Sequence, residues 1–257
     1  MSDDVTFTGE RLHAGAELFA VDLARHEAAY ELAREKLPEG RVLDLGSGTG
    51  YGAHALARDH PRVVAVDRVA PDRRNRGMAH FLRADLHGIP LAPRSFDLVT
   101  SFQVIEHLED PTPYLEAIAR LVSREGRAIL TTPNVLMSDG VNPYHVHEYR
   151  AEELAALLRR YFGSVEMLGI GASEPVHAYL AARSRRIRNI MRIDPLGLRN
   201  LLPGAWVEWL FARFAVLVRR RTGRSEGTPE ATVADFPVTA ADERCLDLLA
   251  ICRSPLA

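Results

Sequence analysis

The 257-residue sequence predicts an α/β fold: a doubly wound, seven-stranded and mostly parallel sheet, preceded by a helical segment and interrupted by a helical insert before its last strand. Three observations predict it. Between Arg41 and Ile170, short apolar runs alternate with helical stretches, the rhythm of strands joined by crossover helices. The first run enters a glycine turn and then a helix, in Arg41-Val-Leu-Asp-Leu-Gly-Ser-Gly-Thr-Gly-Tyr-Gly52. Acidic and polar residues follow the ends of the later runs, where ligands bind in such sheets.

Residues 1–40 form an N-terminal helical cap. Thr8-Gly-Glu-Arg11 opens it, and from Leu18 to Leu37 apolar positions recur at spacings of three and four until Pro38-Glu-Gly40 stops the helix. The core spans residues 41–174. Its strands fall at Val42–Leu45, Val63–Val66, Phe81–Leu82, Phe96–Thr100, Arg127–Thr131 and Val165–Gly169, and its helices at Tyr51–Arg58, Pro113–Leu121 and Ala151–Phe162. Residues 175–230 break the rhythm. From Arg183 to Arg224 there are eleven arginines against two acids, and Trp206, Leu210, Phe214 and Leu217 share one helical face. Residues 231–257 return to the core with a last strand in Cys245–Cys252.

Composition excludes several classes. With 47% hydrophobic and 26% charged residues and a net charge of −2, the chain has no overall basic footprint for nucleic acid. No apolar run reaches the roughly 18–20 residues that span a bilayer. Met-Ser-Asp-Asp-Val lacks the features of a signal peptide, so a cytoplasmic protein is expected. Cys245 and Cys252 sit in an apolar run and read as buried small hydrophobes.

The glycine turn is Rossmann-like and offers a nucleotide pocket, its helix aiming unpaired N–H groups at the ligand. A dinucleotide fingerprint requires glycine at the sixth position counted from Gly46, and Tyr51 stands there. Asp67 ends the next strand, where an acid accepts both ribose hydroxyls. Asp85-Leu86 follows the third strand, suited to an adenine amino group and ring. No basic phosphate clamp accompanies them, and Asp44 adds negative potential that suits a cationic ligand.

Together Val42-Leu-Asp-Leu-Gly-Ser-Gly-Thr-Gly50, Val66-Asp67, Ala84-Asp85, Phe96-Asp-Leu-Val99 and Val104-Ile-Glu-His-Leu108 resemble the class I S-adenosylmethionine-dependent methyltransferases, in particular the subgroup of ubiquinone biosynthesis and of sugar and natural-product tailoring. The resemblance covers about Thr8 to Ile170 and the final strand. It implies S-adenosylmethionine as methyl donor, with Gly46, Ser47, Gly48 and Gly50 around the methionine part, Asp67 on the ribose, Asp85 and Leu86 on the adenine, and Arg11 and Asp44 also among the cofactor-binding residues. Ser101, Phe102 and Gln103 would then lie under the methyl-bearing end. A nicotinamide oxidoreductase is the rival enzyme, opposed by Tyr51. A catalytically silent cofactor-binding protein is the non-enzymatic rival, opposed by the complete motif set.

Methyl transfer from a sulfonium needs alignment and exclusion of water, and a hydroxyl acceptor also needs a proton acceptor. His107, His145 and Glu106 are the candidate catalytic residues, with His147 close by in sequence. The histidine-rich segment is also similar to one in small-RNA 2′-O-methyltransferases, which implies a divalent metal at Gln103, Glu106, His107 and His145. The neutral Gln103 stands where a charged ligand is wanted, so metal assistance is not the favoured reading. The favoured reaction is O-methylation of a small-molecule, sugar or glycan hydroxyl, with N- or C-methylation as the alternative. The basic insert reads as a substrate lid, with a homodimer contact or a membrane-surface helix for a lipid-linked acceptor as the alternatives. Its basic residues are concentrated in that one segment, which argues against a nucleic-acid groove.

Overall fold

The computed structural model describes residues 19–86, 88–140, 142, 144–191 and 228–256. Arg11, the Thr8–Arg11 segment and the tryptophan-bearing part of the insert lie outside them.

A single eight-stranded sheet runs in the order β3-β2-β1-β4-β5-β8-β6-β7. Its strands are β1 (Val42–Leu45), β2 (Val63–Asp67), β3 (His80–Arg83), β4 (Phe96–Phe102), β5 (Val122–Pro133), β6 (Phe162–Ile170), β7 (Val238–Ala240) and β8 (Asp247–Pro255). The first five pair in parallel, and β8 enters antiparallel between β5 and β6. The strand beyond the expected seven is β7, three residues added to the outer edge of β6. Too short for an alternating pattern, it is held by pairing and carries no periodic signal.

Helices cover both faces, which explains why the central strands are nearly continuously apolar. On one face Leu43, Leu45, Val99 and Leu130 meet α3 (Thr112–Leu121) and α4 (Ala151–Leu158). On the other, Val42, Leu98, Ile129 and Leu249 meet α1 (Ala20–Arg34), α2 (Tyr51–Asp59) and α5 (Glu174–Met191). Each fully buried leucine of this kind contributes roughly 1.5–3 kcal/mol. The expected helix at Ala151–Phe162 stops four residues early, because the buried Phe162 is drawn into β6 opposite Pro255.

α1 lies close on α2. Ala24, Ala28, Ala29 and Ala33 are buried, and Tyr30 passes so near Gly52 that a Cβ there would lie 1.8 Å from the ring. α5 occupies the start of the expected insert, yet its Val176, Tyr179 and Ala182 are buried in the core. Cys245 and Cys252 are buried free thiols, and burial pushes Cys252 up to about 12. No helix among the described residues is long and apolar enough to cross a membrane.

Strand order reverses between β1 and β4, which opens a crevice beyond their carboxyl ends. β8 runs the other way, so its first residue, Asp247, reaches the same rim opposite Pro133 and Ile170.

Candidate active site

On the β1 side of the crevice the site is built from backbone. Gly46, Gly48 and Gly50 have φ of 79°, 54° and 82°, in the left-handed region that glycine enters without penalty. A Cβ at Gly46 would meet Val104 at 2.4 Å and one at Gly50 would meet the Phe81 ring at 2.7 Å, whereas one at Gly48 would meet nothing within 4 Å. Gly48 therefore borders open space. Its N–H donates to Oδ2 of Asp67 (2.7 Å), and Oδ1 of Asp67 accepts from the Val69 N–H (2.9 Å). A carboxylate has about four lone-pair directions, so two backbone donors orient Asp67 and leave it acceptor capacity toward a diol.

Asp44 is buried beneath the turn. It accepts from the Thr100 hydroxyl at 2.9 Å and from the Tyr30 hydroxyl at 3.3 Å to each oxygen. Burial pushes its carboxyl up to about 7, against the pull of those bonds. Ser47 is buried in the turn, Asp85 is exposed beyond β3, and Leu86 packs partly against the core.

Beyond β4 the residues divide. Ser101 is buried, its hydroxyl donating to Leu45 O (2.6 Å) and accepting from Tyr114 (2.7 Å), so it ties strands and helix together. Phe102 stacks edge-on against Tyr30. Gln103 is a non-glycine residue at φ 55°, its N–H donating to Thr131 O (3.0 Å) and its side-chain amide reaching Thr131 Oγ1 (3.4 Å).

Glu106, His107 and His145 converge. One ligand-capable atom from each lies within 4.8 Å of the others. The cause is local. The backbone carbonyl of Glu106 accepts from the N–H groups of Val146 (2.7 Å) and His147 (3.2 Å), which pins the loop after β5 against the turn after β4. The His107 and His145 rings then sit edge to face, 5.2 Å apart. Nδ1 of His107 lies 2.9 Å from Tyr144 O, and Nδ1 of His145 lies 2.6 Å from Glu148. Burial pushes the Glu148 carboxyl up, but the hydrogen bonds from His145 and Ser138 outweigh it and hold the group below the usual carboxylate range. His147 points elsewhere and pairs with Glu153 at the start of α4.

Glu106 itself is fully buried. Oε2 accepts from Thr132 (3.0 Å), while Oε1 has no hydrogen-bond partner. Burial lifts the carboxyl to about 8, against the pull of its backbone hydrogen bond, His145 and Thr132. A buried, half-satisfied acceptor between two imidazoles is costly unless something completes it.

Sequence reasoning gave no role to Tyr30, Thr132, Glu148 or the Arg25–Asp247 pair, of which only the acid is buried. Nothing in spacing links those residues to the rim. Asp247 alone left a signal, as a lone acid in the apolar run Cys245–Cys252.

A family model described as a methyltransferase domain matches residues 43–130. A Mycobacterium tuberculosis protein described as a probable S-adenosylmethionine-dependent methyltransferase is 30% identical over 98% of this chain and 90% of its own length. The ubiquinone biosynthesis O-methyltransferase of Xanthomonas campestris is 34% identical over 41% of this chain and 48% of its own. Among solved structures, a Thermotoga maritima SAM-dependent methyltransferase, described as a possible histamine N-methyltransferase, shares the fold with a TM-score of 0.60 at 15% identity, over 92% of each chain. The Mycobacterium tuberculosis relative, 30% identical and matched over nearly the whole of both chains, shows the family: the chain belongs to the S-adenosylmethionine-dependent methyltransferases.

Proposed function

We propose that this methyltransferase acts on a hydroxyl oxygen of a small-molecule, sugar or glycan acceptor, with His145 as the proton acceptor. The observation that carries the reading is the convergence of Glu106, His107 and His145 beyond β4 and β5. A ring nitrogen facing an ionised carboxylate carries the proton, so Glu148 fixes the His145 tautomer whose Nε2 bears the lone pair. In the reaction the acceptor oxygen attacks the sulfonium methyl in line. A C–O bond forms, the C–S bond breaks with its electron pair going to sulfur, and the hydroxyl proton passes to His145. Glu148 then stabilises the imidazolium, as the acid does in a nucleophile–His–Asp arrangement. The partial match to an O-methyltransferase supports oxygen as the acceptor atom.

Incubation with a labelled methyl donor and panels of hydroxylated and amine acceptors tests this. Label on oxygen is expected, and label only on nitrogen or carbon would overturn it. The same reading gives residues 183–224 the role of a lid over the acceptor. Wild-type turnover after deletion of 192–227 would remove that role.

One observation favours a second reading, in which the same trio holds a divalent cation. Glu106 Oε1 without a partner, beside two imidazoles, fits such an ion, and Gln103 is engaged with Thr131 instead of the trio. Carboxylate and imidazole together suit a borderline or hard cation, which would polarise the acceptor oxygen. Turnover abolished by a chelator and restored by added metal would select this reading.

A further inference from the structure

Gln103 holds a conformation that its residue type disfavours. Left-handed backbone at a non-glycine position persists only where the surroundings over-determine it, and such residues cluster at functional turns. One side of the constraint is Thr131, bonded through both backbone and side chain. The other is Asp247, which stands opposite Pro133, two residues beyond Thr131 on the same strand. Burial raises its carboxyl, while Arg25 and a hydrogen bond from the Gln103 side chain pull it back down.

Asp247 is 1% exposed at the start of β8, and its counter-charge comes from a distant part of the chain. Arg25 of α1 places Nε 3.3 Å from Oδ2 of Asp247. Neither Arg25 Nε nor Asp247 Oδ1 has a hydrogen-bond partner, so the pair is held in electrostatic contact without being saturated. The same helix binds Arg183 of α5 through Asp22 (3.0 Å), meets Tyr51 at the end of the glycine turn through His26 (3.0 Å) and donates to Asp44 through Tyr30. One helix thus touches the cofactor turn and the floor of the acceptor side together. Stability alone does not account for an ion pair whose acid is buried and whose arginine side chain is 20% exposed, since replacing buried pairs with well-packed apolar residues is often neutral or stabilising.

We propose that the Arg25–Asp247 pair is a positioning device that holds the Gln103 turn in place, so that the surface facing the transferred methyl is complete only with α1 docked on the rim. The proposal rests on the reading that Gln103 lies under the methyl-bearing end of the cofactor. Arg25 and Asp247 act through Gln103 and touch neither donor nor acceptor. Three residues further along the chain comes Glu106, so a relaxed turn would also displace the proton-accepting trio.

The test uses full-length protein with S-adenosylmethionine carrying a ¹³C-labelled methyl, observed by NMR when bound. Three variants are compared with wild type: Gln103→Ala, the apolar double replacement Arg25→Met with Asp247→Leu, and the near-isosteric Asp247→Asn. The double replacement is expected to keep its melting temperature and to bind S-adenosylhomocysteine within about threefold of wild type. Its bound-methyl resonance is expected to move toward that of Gln103→Ala, with Asp247→Asn moving less in the same direction. Asp247→Asn carries the comparison if the double replacement does not fold. With an acceptor present, turnover in the double replacement should fall about 10- to 100-fold, the scale of a roughly 1 Å misplacement. A resonance unmoved by Gln103→Ala would overturn the placement of Gln103, and the proposal with it. A resonance moved by Gln103→Ala but unchanged in both pair variants would overturn the positioning role alone.

Discussion

The two halves of the crevice are made of different material. On the β1–β3 side the candidate groups are backbone amides and carboxylates close in sequence: three positive-φ glycines, Asp44 two residues before them, and Asp67 at the end of the next strand. On the β4–β8 side they are side chains from remote segments: Glu106 and His107 after β4, His145 after β5, Asp247 at the start of β8 and Arg25 from α1. On the proposed reading the donor common to the family is held by backbone geometry, which does not depend on the nearby side chains. The acceptor side has to be specific, and specificity is carried by side chains that only folding assembles.

Substitutions in each half should therefore fail differently. The largest effect is expected on the acceptor side. His145→Ala should lower turnover about 10²- to 10⁴-fold, the range for losing a positioned acid–base group. Its affinity for S-adenosylhomocysteine, measured by calorimetry, should stay near wild type. A parallel fall in affinity would mean that the two halves are not separable.

On the cofactor side the sharpest contrast lies between neighbouring glycines. Gly46→Ala forces a Cβ to 2.4 Å from Val104 in a left-handed conformation, so both stability and cofactor affinity should fall, the former by about 2 kcal/mol or more. Gly48→Ala has the same backbone penalty but meets no protein atom within 4 Å. It should cost about 1 kcal/mol of stability while affinity drops on the order of tenfold, because the methyl intrudes on ligand space. Equal affinity in Gly48→Ala and wild type would move the cofactor away from that glycine.

How far the sequence could be read follows from the same contrast. Val42–Leu45, the glycine turn and Asp67 are local patterns, and β1, β2 and the turn stand where spacing places them. Glu106-His107 was legible as a motif, and His145 as one of two nearby histidines. The family likeness singled out His145, but the contact that brings it to the site was not legible, because the Glu106 carbonyl makes it across 40 and 41 residues of chain. The Ser101 hydroxyl is committed to Leu45 and Tyr114, bonds that no spacing announces. Arg25 lay in a helix read only for its periodicity, and its partner is in the last strand.

The charge states of the two halves should also part with pH. Asp44 and Glu106 both have carboxyls lifted by burial, to about 7 and about 8. A raised acid makes the unfolded chain release its proton first, so the stability of the cofactor-free protein should fall as pH rises from about 4 towards these values. Melting temperature against pH should show this slope, flattened in part by Asp44→Asn and in part by Glu106→Gln. Cofactor binding should separate the two acids. A cationic donor favours ionised Asp44, so affinity should rise with pH, by at most about tenfold per unit, and level off above about 7. Only Asp44→Asn should remove that rise. If Glu106→Gln removed it as well, both acids would belong to a single electrostatic site.

The smallest expected effect asks how far α1 belongs to the cofactor side. Tyr30 donates to both Asp44 oxygens at 3.3 Å, long enough for each bond to be weak, and its ring packs edge-on against Phe102 at 4.7 Å. Tyr30→Phe keeps the ring and removes the donor. A donor to a carboxylate favours its charged form, so its loss should raise the Asp44 carboxyl further. The pH midpoint of cofactor affinity should then move up by about 0.3–0.5 units, with affinity at pH 7 falling about two- to threefold. Stability should drop by about 1 kcal/mol, as for a single buried hydrogen bond. An unmoved midpoint with that same loss of stability would leave the charge of Asp44 to Thr100 and the turn, and α1 would touch the cofactor side only by packing.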